Sequence, residues 1–376
     1  MWRSPVTERV DVVIVGGGPA GLATSQQLRQ RGVPHCVLER GDTVGYTWAN
    51  LYDSLTLHTG KHMSSLPGMP FPRSAPLFVP REEFLDYLRR YAARFELAIE
   101  TGCEVQRITR TDGTWTVSTN RGILAADSVI VATGIVANPK APRFPGQERF
   151  AGRLAHSIAY RRPDGYAGRR VLVVGVGNSG AEIGSELASA GAQVTVAVRS
   201  GANVVPLTLA GLPLQYIAYW VRKLPRPVQE VAVALVQRLT ELRRGKPVLP
   251  RPSHSPLDEI PVIGFHLVDA IVQGLIDVRP GVAELTSDGA RFSDGTAGRF
   301  DDIILATGFT AALGPLGGLV GLDAKGFAQR RDRVVSLDQP RLYFVGHNYD
   351  ATGGLYNISR DAHIAARLIA TESTER

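Results

Sequence analysis

The sequence predicts an α/β fold with two Rossmann-like domains. Three observations carry the prediction. An apolar, β-branched run at residues 10–15 leads directly into Gly16-x-Gly18-x-x-Gly21 and a helical stretch. The same strand–glycine–helix order recurs at residues 171–190 around Gly175-x-Gly177-x-x-Gly180. Two further apolar strands, in residues 128–134 (SVIVATG) and 302–308 (DIILATG), each end in Ala-Thr-Gly. At 376 residues the chain is longer than one ordinary core fills, which fits two domains.

Composition narrows the class. With 44% hydrophobic and 20% charged residues the chain is globular rather than disordered. Its two cysteines, Cys36 and Cys103, are far apart in sequence, which excludes a disulfide scaffold, a C-x-x-C redox centre and a cysteine-based zinc site. No metal site is expected. The N-terminus lacks the apolar run of a signal peptide, so a cytoplasmic protein is expected. The net charge is +7, yet residues 222–251 alone hold eight basic side chains against Glu230 and Glu241. The remainder is near neutral, so no nucleic-acid partner is expected.

The elements follow in order. Residues 10–15 read as a buried strand, 20–31 as a helix stopped by Gly32, and 33–38 as a second strand. The Pro-rich stretch 61–81 reads as loop, and residues 81–95 have helical spacing of Phe84, Leu85, Leu88 and Tyr91. Residues 103–131 alternate as strands with a turn at Asp112-Gly113; residues 276–305 do the same with turns at Asp288-Gly289 and Asp294-Gly295. Residues 200–221 carry no charge, but their Pro and Gly content argues against a membrane span. Residues 227–244 place Val228, Val231, Leu235, Leu239 and Leu242 on one helical stripe with a basic tail. That stripe suits a helical cover over a pocket or a dimer seam; the sharper alternative is a helix lying on a membrane surface. The apolar 204–242 region suits a homodimer. The chain closes with a strand end at 343–346 and a helix from about Asn357.

The glycines have specific tasks. In each fingerprint the first permits a tight turn, the second lets backbone approach a pyrophosphate, and the third allows close helix packing. Free N–H groups at the helix start then face the phosphates. Glu39 ends the second strand and suits the two hydroxyls of an adenosine ribose, so the first site favours FAD or NAD over NADP. The second fingerprint is followed by Arg199-Ser200 with no acid, a pair that suits a 2′-phosphate, so the second site favours NADPH. The alternative for Arg199 is a solvated surface arginine.

With both fingerprints, both Ala-Thr-Gly ends and Phe150-x-Gly152-x-x-x-His156-x-x-x-Tyr160 in place, the chain resembles the class B flavin-dependent monooxygenases over nearly its whole length. Trp48 to Pro72 and the GVGNSGAEI of residues 175–183 are similar to the compact bacterial and plant YUCCA-type members. Tyr160-Arg161 departs from the Trp that Baeyer–Villiger members carry next, and the missing cysteine pair separates the chain from disulfide reductases. Tyr46 adds bulk where small residues are common. His58 stands where animal N- and S-oxygenating members have an asparagine, with a half-buried loop histidine as its alternative reading.

The resemblance implies an FAD- and NADPH-dependent monooxygenase. A C4a-(hydro)peroxyflavin would oxygenate a small organic substrate with O2, by N- or S-oxygenation or by YUCCA-like oxidative decarboxylation; the alternatives are an NADPH oxidase-like or redox-sensing flavoprotein without oxygen transfer, or Baeyer–Villiger activity. FAD would be held by Gly16, Gly18, Pro19, Ala20, Gly21, Glu39, Arg40, Thr47, Trp48, His58, Thr59, Val105, Ala132, Thr133, Gly134, Gly354 and Leu355. NADPH would be held by Gly175, Gly177, Asn178, Ser179, Gly180, Arg199 and Ser200, and the second strand end, Ala306, Thr307 and Gly308, would bind cofactor where the chain crosses between the domains. His58 and Tyr356 would be catalytic, His58 because a histidine titrates near neutral pH. Residues 1–152 and 290–376 would form the FAD domain. Residues 153–289 would form an inserted NADPH domain with a helical lid at about 200–260.

Overall fold

The structure, a computed structural model, describes residues 8–253, 255–350 and 352–374. The chain divides into two compact units. The first comprises the residues up to Asn50, Thr59–Asn138 and those from Phe309 onward; the second comprises Leu51–His58 and Pro139–Gly308.

In the first unit five parallel strands run in the order Leu342–Phe344, Gly122–Val131, Glu8–Val15, His35–Leu38 and Ile99–Glu100. The central strand is Val- and Ile-rich because it is covered on both faces. Val15 pairs level with Leu38 on one side and Val131 on the other, so three strands end together. The hairpin Val105–Thr111 and Thr114–Thr119 pairs antiparallel onto Gly122–Val131. Its turn is the expected one: Asp112 and Gly113 both have positive φ, 49° and 82°, the geometry of the tight hairpin turn.

The helix Pro19–Arg29 is buried along Pro19–Leu28 and packs against the C-terminal helix Gly354–Thr374. That partner offers Ala362, Ala365 and Ala366, whose small side chains leave room for close approach. Two polar side chains of the buried helix bond locally, Thr24 Oγ1 donating to the Ala20 carbonyl and Gln27 Nε2 to Gln26 Oε1, while Gln26 Nε2 is buried with no partner among the described residues.

The second unit carries its own parallel sheet, in the order Arg153–His156, Asp302–Leu305, Arg170–Val174, Gln193–Val198 and Ile276–Pro280. Val174 is level with both Ala197 and Leu305. Strands Val282–Thr286, Gly289–Phe292 and Ala297–Arg299 form a side sheet whose Leu285, Ala290 and Phe292 pack on Ile303 and Leu305.

Five sequence expectations shift here. The unit borders fall at 138/139 and 308/309 rather than at 152/153 and 289/290. Asp302–Leu305 is an inner strand of the second sheet, so its Ala-Thr-Gly end belongs with that sheet. The Pro-rich stretch contains a helical turn, Lys61–Ser64, because Lys61 Nζ gathers the carbonyls of Arg73 and Ala75 at 2.8 and 2.5 Å. The last helix starts at Gly354 rather than near Asn357, since Thr352 donates its N–H to Asp350 Oδ1 at 2.8 Å and closes the turn before it. The fifth shift concerns helix Arg226–Arg244, which contains no buried residue. Its half-buried side is Gln229, Ala232, Val233, Val236, Gln237 and Thr240; the Val228-to-Leu242 stripe expected to pack faces outward.

One buried group sets a pH dependence. His347 follows the strand Leu342–Phe344, is 2% exposed, and meets Phe327 and Phe344 edge-on at 6.0 and 5.4 Å. Neither ring nitrogen has a hydrogen-bond partner among the described residues. Burial, aided by the Arg330 guanidinium, pushes its pKa down to about 3. The folded chain thus refuses a proton that the unfolded chain accepts below about pH 6.5. Stability should therefore fall as pH drops from that value towards 3, by about 1.4 kcal/mol per pH unit for this group. Urea unfolding from pH 7 to pH 4 tests this: His347→Phe should lose that part of the slope, and an unchanged slope would refute the assignment.

Candidate active site

Each unit places a glycine fingerprint at the level ends of its strands. Gly16 has φ 114°, and a Cβ there would lie 2.5 Å from the Ala132 carbonyl oxygen. Gly175 repeats this with φ 102° and 2.6 Å to the Ala306 oxygen. In both sheets the fingerprint thus closes on an Ala-Thr-Gly strand end. Gly21 and Gly180 lie against the carbonyls of Gly16 and Gly175.

Gly18 and Gly177 behave differently. Each is the extended N-cap residue of its helix, Pro19–Arg29 or Asn178–Ser189, and no side chain caps either helix. A Cβ on either would meet nothing within 4 Å. Free first-turn N–H groups facing open space form an anion cradle, so both units fit a dinucleotide pyrophosphate. Pro19 and Ala20 open the first helix, with Pro at a position whose N–H would be idle.

Glu39 is buried. Its Oε2 accepts from the Gly17 N–H and its Oε1 from the Gly41 N–H, both at 2.8 Å, which aims the carboxylate at the fingerprint. Each oxygen retains a lone pair for a ribose hydroxyl. Arg40 is exposed beside it. Thr47 and Trp48 lie half-buried in the short helix Tyr46–Ala49, with Trp48 edge-on to Phe84 at 4.6 Å. The bulk of Tyr46 is accommodated by Gly41, where a Cβ would lie 2.0 Å from the ring.

Several predicted ligands are already engaged. Thr133 Oγ1 donates to the Ala312 carbonyl at 2.9 Å, and Thr59 Oγ1 is bonded to Ser64 Oγ at 2.6 Å. The Val105 side chain is buried in the hairpin core, leaving only its backbone to a ligand. Gly134 carries φ 79° at its strand end. Gly354 and Leu355 open the last helix, and Tyr356 is half-buried with the Arg360 guanidinium 5.9 Å from its ring.

In the second unit the Asn178 side chain is engaged within the protein. Its amide donates to the Pro261 carbonyl at 3.2 Å and accepts from the Ile263 N–H at 2.8 Å, so the side chain clamps the 261–263 segment and only the backbone is left to a ligand. Thr307 Oγ1 is likewise bonded to the Lys140 carbonyl. Arg199 and Ser200 are exposed after Gln193–Val198, and Arg199 has no carboxylate partner among the described residues. The absence of a side chain at Gly281 gives the Arg199 stem its room.

The identifying sequence serves this sheet. A Cβ at Gly152 would strike the Phe150 ring at 2.5 Å and the Asp301 carbonyl at 2.6 Å. His156 Nε2 donates to the Gly308 carbonyl at 3.0 Å while Nδ1 accepts the Ile158 N–H at 3.2 Å. Both bonds need the neutral ring, and burial lowers its pKa accordingly. The Tyr160 hydroxyl donates to Glu186 Oε2 at 2.8 Å.

Sequence reasoning missed one residue. Glu182, one turn into Asn178–Ser189, accepts the Tyr52 hydroxyl on Oε2 at 2.5 Å and holds His58 Nε2 on Oε1. Burial first, and the Glu182 charge second, raise the Tyr52 pKa, so Tyr52 remains a donor. His266 stands in the field of the same pair, its pKa lowered by burial, and its Nε2 is buried with no partner among the described residues. The only sequence signal for Glu182 was its place in GVGNSGAEI. The cysteines offer no rival centre: both are free thiols, and burial pushes Cys36 up to about 12.

Two parallel sheets, each with an open pyrophosphate cradle, an acid at the first and, at the second, an exposed arginine with no carboxylate partner among the described residues, define a flavoprotein that also binds a nicotinamide dinucleotide. A family model, flavin-binding monooxygenase-like, matches residues 9–320, and the chain belongs to that family. It is 38% identical over 325 residues to indole-3-pyruvate monooxygenase YUCCA1 of Oryza sativa subsp. japonica, covering 82% of this chain and 80% of that protein. It is 36% identical over 307 residues to the probable indole-3-pyruvate monooxygenase YUCCA4 of Arabidopsis thaliana, covering 79% and 75%. A flavin-containing monooxygenase from Stenotrophomonas maltophilia superposes with TM-score 0.76 at 27% identity, over 98% of this chain and all of that one. The protein is an FAD- and NADPH-dependent monooxygenase that takes a small-molecule substrate and O2. No helix among the described residues is long and apolar enough to cross a membrane.

Proposed function

We propose that the protein acts on a 2-oxo acid, placing one oxygen atom at the carbonyl carbon and releasing carbon dioxide. The observation that carries this reading is Glu182 holding His58 Nε2. A histidine backed by a carboxylate is a proton acceptor. An oxidant kept deprotonated attacks a carbonyl carbon; a protonated one attacks an amine nitrogen or a sulfide sulfur. The 2-oxo acid in the names of the plant relatives supports the same chemical class.

The overall reaction balances as 2-oxo acid, O2, NADPH and a proton giving the carboxylic acid one carbon shorter, CO2, water and NADP+. Bound FAD supplies hydride acceptance and oxygen activation. The remaining work falls to the chain. The Gly16–Gly21 loop would hold the FAD pyrophosphate and Glu39 its ribose. The start of Gly354–Thr374, at Gly354 and Leu355, would stabilise negative charge on the reduced ring. Gly175 to Gly180 would hold NADPH, with Arg199 and Ser200 on the 2′-phosphate. His58 would take the proton through Nδ1, the nitrogen not engaged by Glu182. Tyr356 would orient the substrate.

Arg199→Glu should raise the KM for NADPH about tenfold or more and leave that for NADH unchanged, because only NADPH brings the phosphate. The function is tested on the holoenzyme with phenylpyruvate, indole-3-pyruvate, methyl phenyl sulfide and dimethylaniline, measuring CO2 released per NADPH consumed. A ratio near unity with a 2-oxo acid supports the reading. Sulfoxide or N-oxide without CO2 overturns it.

A further inference from the structure

We propose that helix Arg226–Arg244 docks the protein on the surface of an anionic phospholipid bilayer. The helix turns an apolar stripe outward: Val231 is 69% exposed, Leu235 57% and Leu242 76%, with Val228 and Leu239 also exposed between them. Leu224 and Trp220, the latter 66% exposed, continue the apolar surface ahead of the helix. An unpartnered stripe of this length marks an interaction site.

Charge decides what covers it. The arginines that tie the helix to the body are paired: Arg226 with Asp258 at 2.8 Å, Arg244 with Asp269, and Arg251 with Glu241. Arg238 and Arg243 are different. Helical geometry puts one on each flank of the stripe, and neither has a carboxylate partner among the described residues; Lys246 has none either. The Lys223 ammonium lies 4.2 Å from the ring centres of both Tyr219 and Trp220. An apolar stripe rimmed by unpaired cations, with aromatic rings at one end, matches an anionic bilayer surface: side chains enter the acyl boundary, rings lie at headgroup level and cations meet phosphates. A second copy of the chain matches poorly. Pairing two such helices antiparallel sets Lys223 of one against Arg243 and Lys246 of the other, with Glu230 already held by Arg226 at 3.0 Å.

The test is sedimentation of the holoenzyme with vesicles of equal parts phosphatidylglycerol and phosphatidylcholine, and with phosphatidylcholine alone. Binding should be about tenfold or more stronger to the anionic vesicles and should weaken in high salt. Arg238→Gln and Arg243→Gln should each cost about fivefold in partitioning. Leu235→Glu with Leu242→Glu should abolish binding, yet leave thermal stability and NADPH consumption unchanged, since both side chains are mostly exposed. Equal binding to both vesicles, or none to either, overturns the proposal. If the protein ignores vesicles but forms a dimer that Leu235→Glu dissolves, the stripe belongs to a second copy.

Discussion

Gly18→Val should give a folded, colourless protein. The native Gly18 backbone is extended, with φ −84° and ψ −171°, a conformation valine adopts readily, and its Cβ would meet nothing within 4 Å. The substitution therefore costs the fold little. What it fills is the space through which backbone N–H groups reach a pyrophosphate, so flavin binding should fall by about a hundredfold or more. The visible flavin band of the purified protein reads this directly, with circular dichroism as the check on folding. Gly177→Val makes the matching change at the second cradle, where φ is −69° and ψ −178°. That protein should remain yellow and lose reduction by NADPH. If Gly18→Val is as yellow as the parent, the pyrophosphate does not pass over Gly18. If Gly177→Val is reduced normally, NADPH does not use the second fingerprint.

Glu182→Gln should uncouple the enzyme. One carboxylate serves two donors, the Tyr52 hydroxyl and His58 Nε2. An amide offers one acceptor and turns a donor toward the other, so with its oxygen on Tyr52 it forces His58 to accept on Nε2 and carry its ring proton on Nδ1, the nitrogen that must take the substrate's proton. The ratio of product to NADPH should drop about tenfold or more, with the balance appearing as hydrogen peroxide. Flavin content should be unaffected. Tyr52→Phe separates the two roles: it removes the other donor, leaves Glu182 with His58, and should keep most of the coupling. Normal coupling in Glu182→Gln would reduce Glu182 to a structural staple and remove the basis for assigning His58 a proton.

The residues that sequence reading reached and those it missed divide on physical grounds. Both fingerprints, both strand ends and Glu39 were legible because a pyrophosphate and a tight turn impose fixed local spacing. Glu182 was not, since its donors come from Tyr52 and His58, more than a hundred residues earlier in the chain. The engagement of the Asn178 side chain was not legible either, because its partners, Pro261 and Ile263, come from a segment with no pattern of its own. The sheet to which residues 302–305 belong was misjudged for a related reason: an apolar strand shows that it is buried, not which neighbour it pairs with. Helix Arg226–Arg244 carries the sharpest case. Periodicity identifies an apolar face correctly and says nothing about whether protein, lipid or solvent lies opposite.

The Ala132 carbonyl fills the space that Gly16 leaves, and the Ala306 carbonyl does the same for Gly175. Segments distant in sequence are therefore mechanically one part. For segment exchange between relatives this sets the permissible breakpoints: residues 8–21 must travel with 128–134, and 171–180 with 302–308. A chimaera that divides either pair sets a foreign strand end against a glycine cut to another shape, and its defect would arise at a seam between two segments each sound in its own parent.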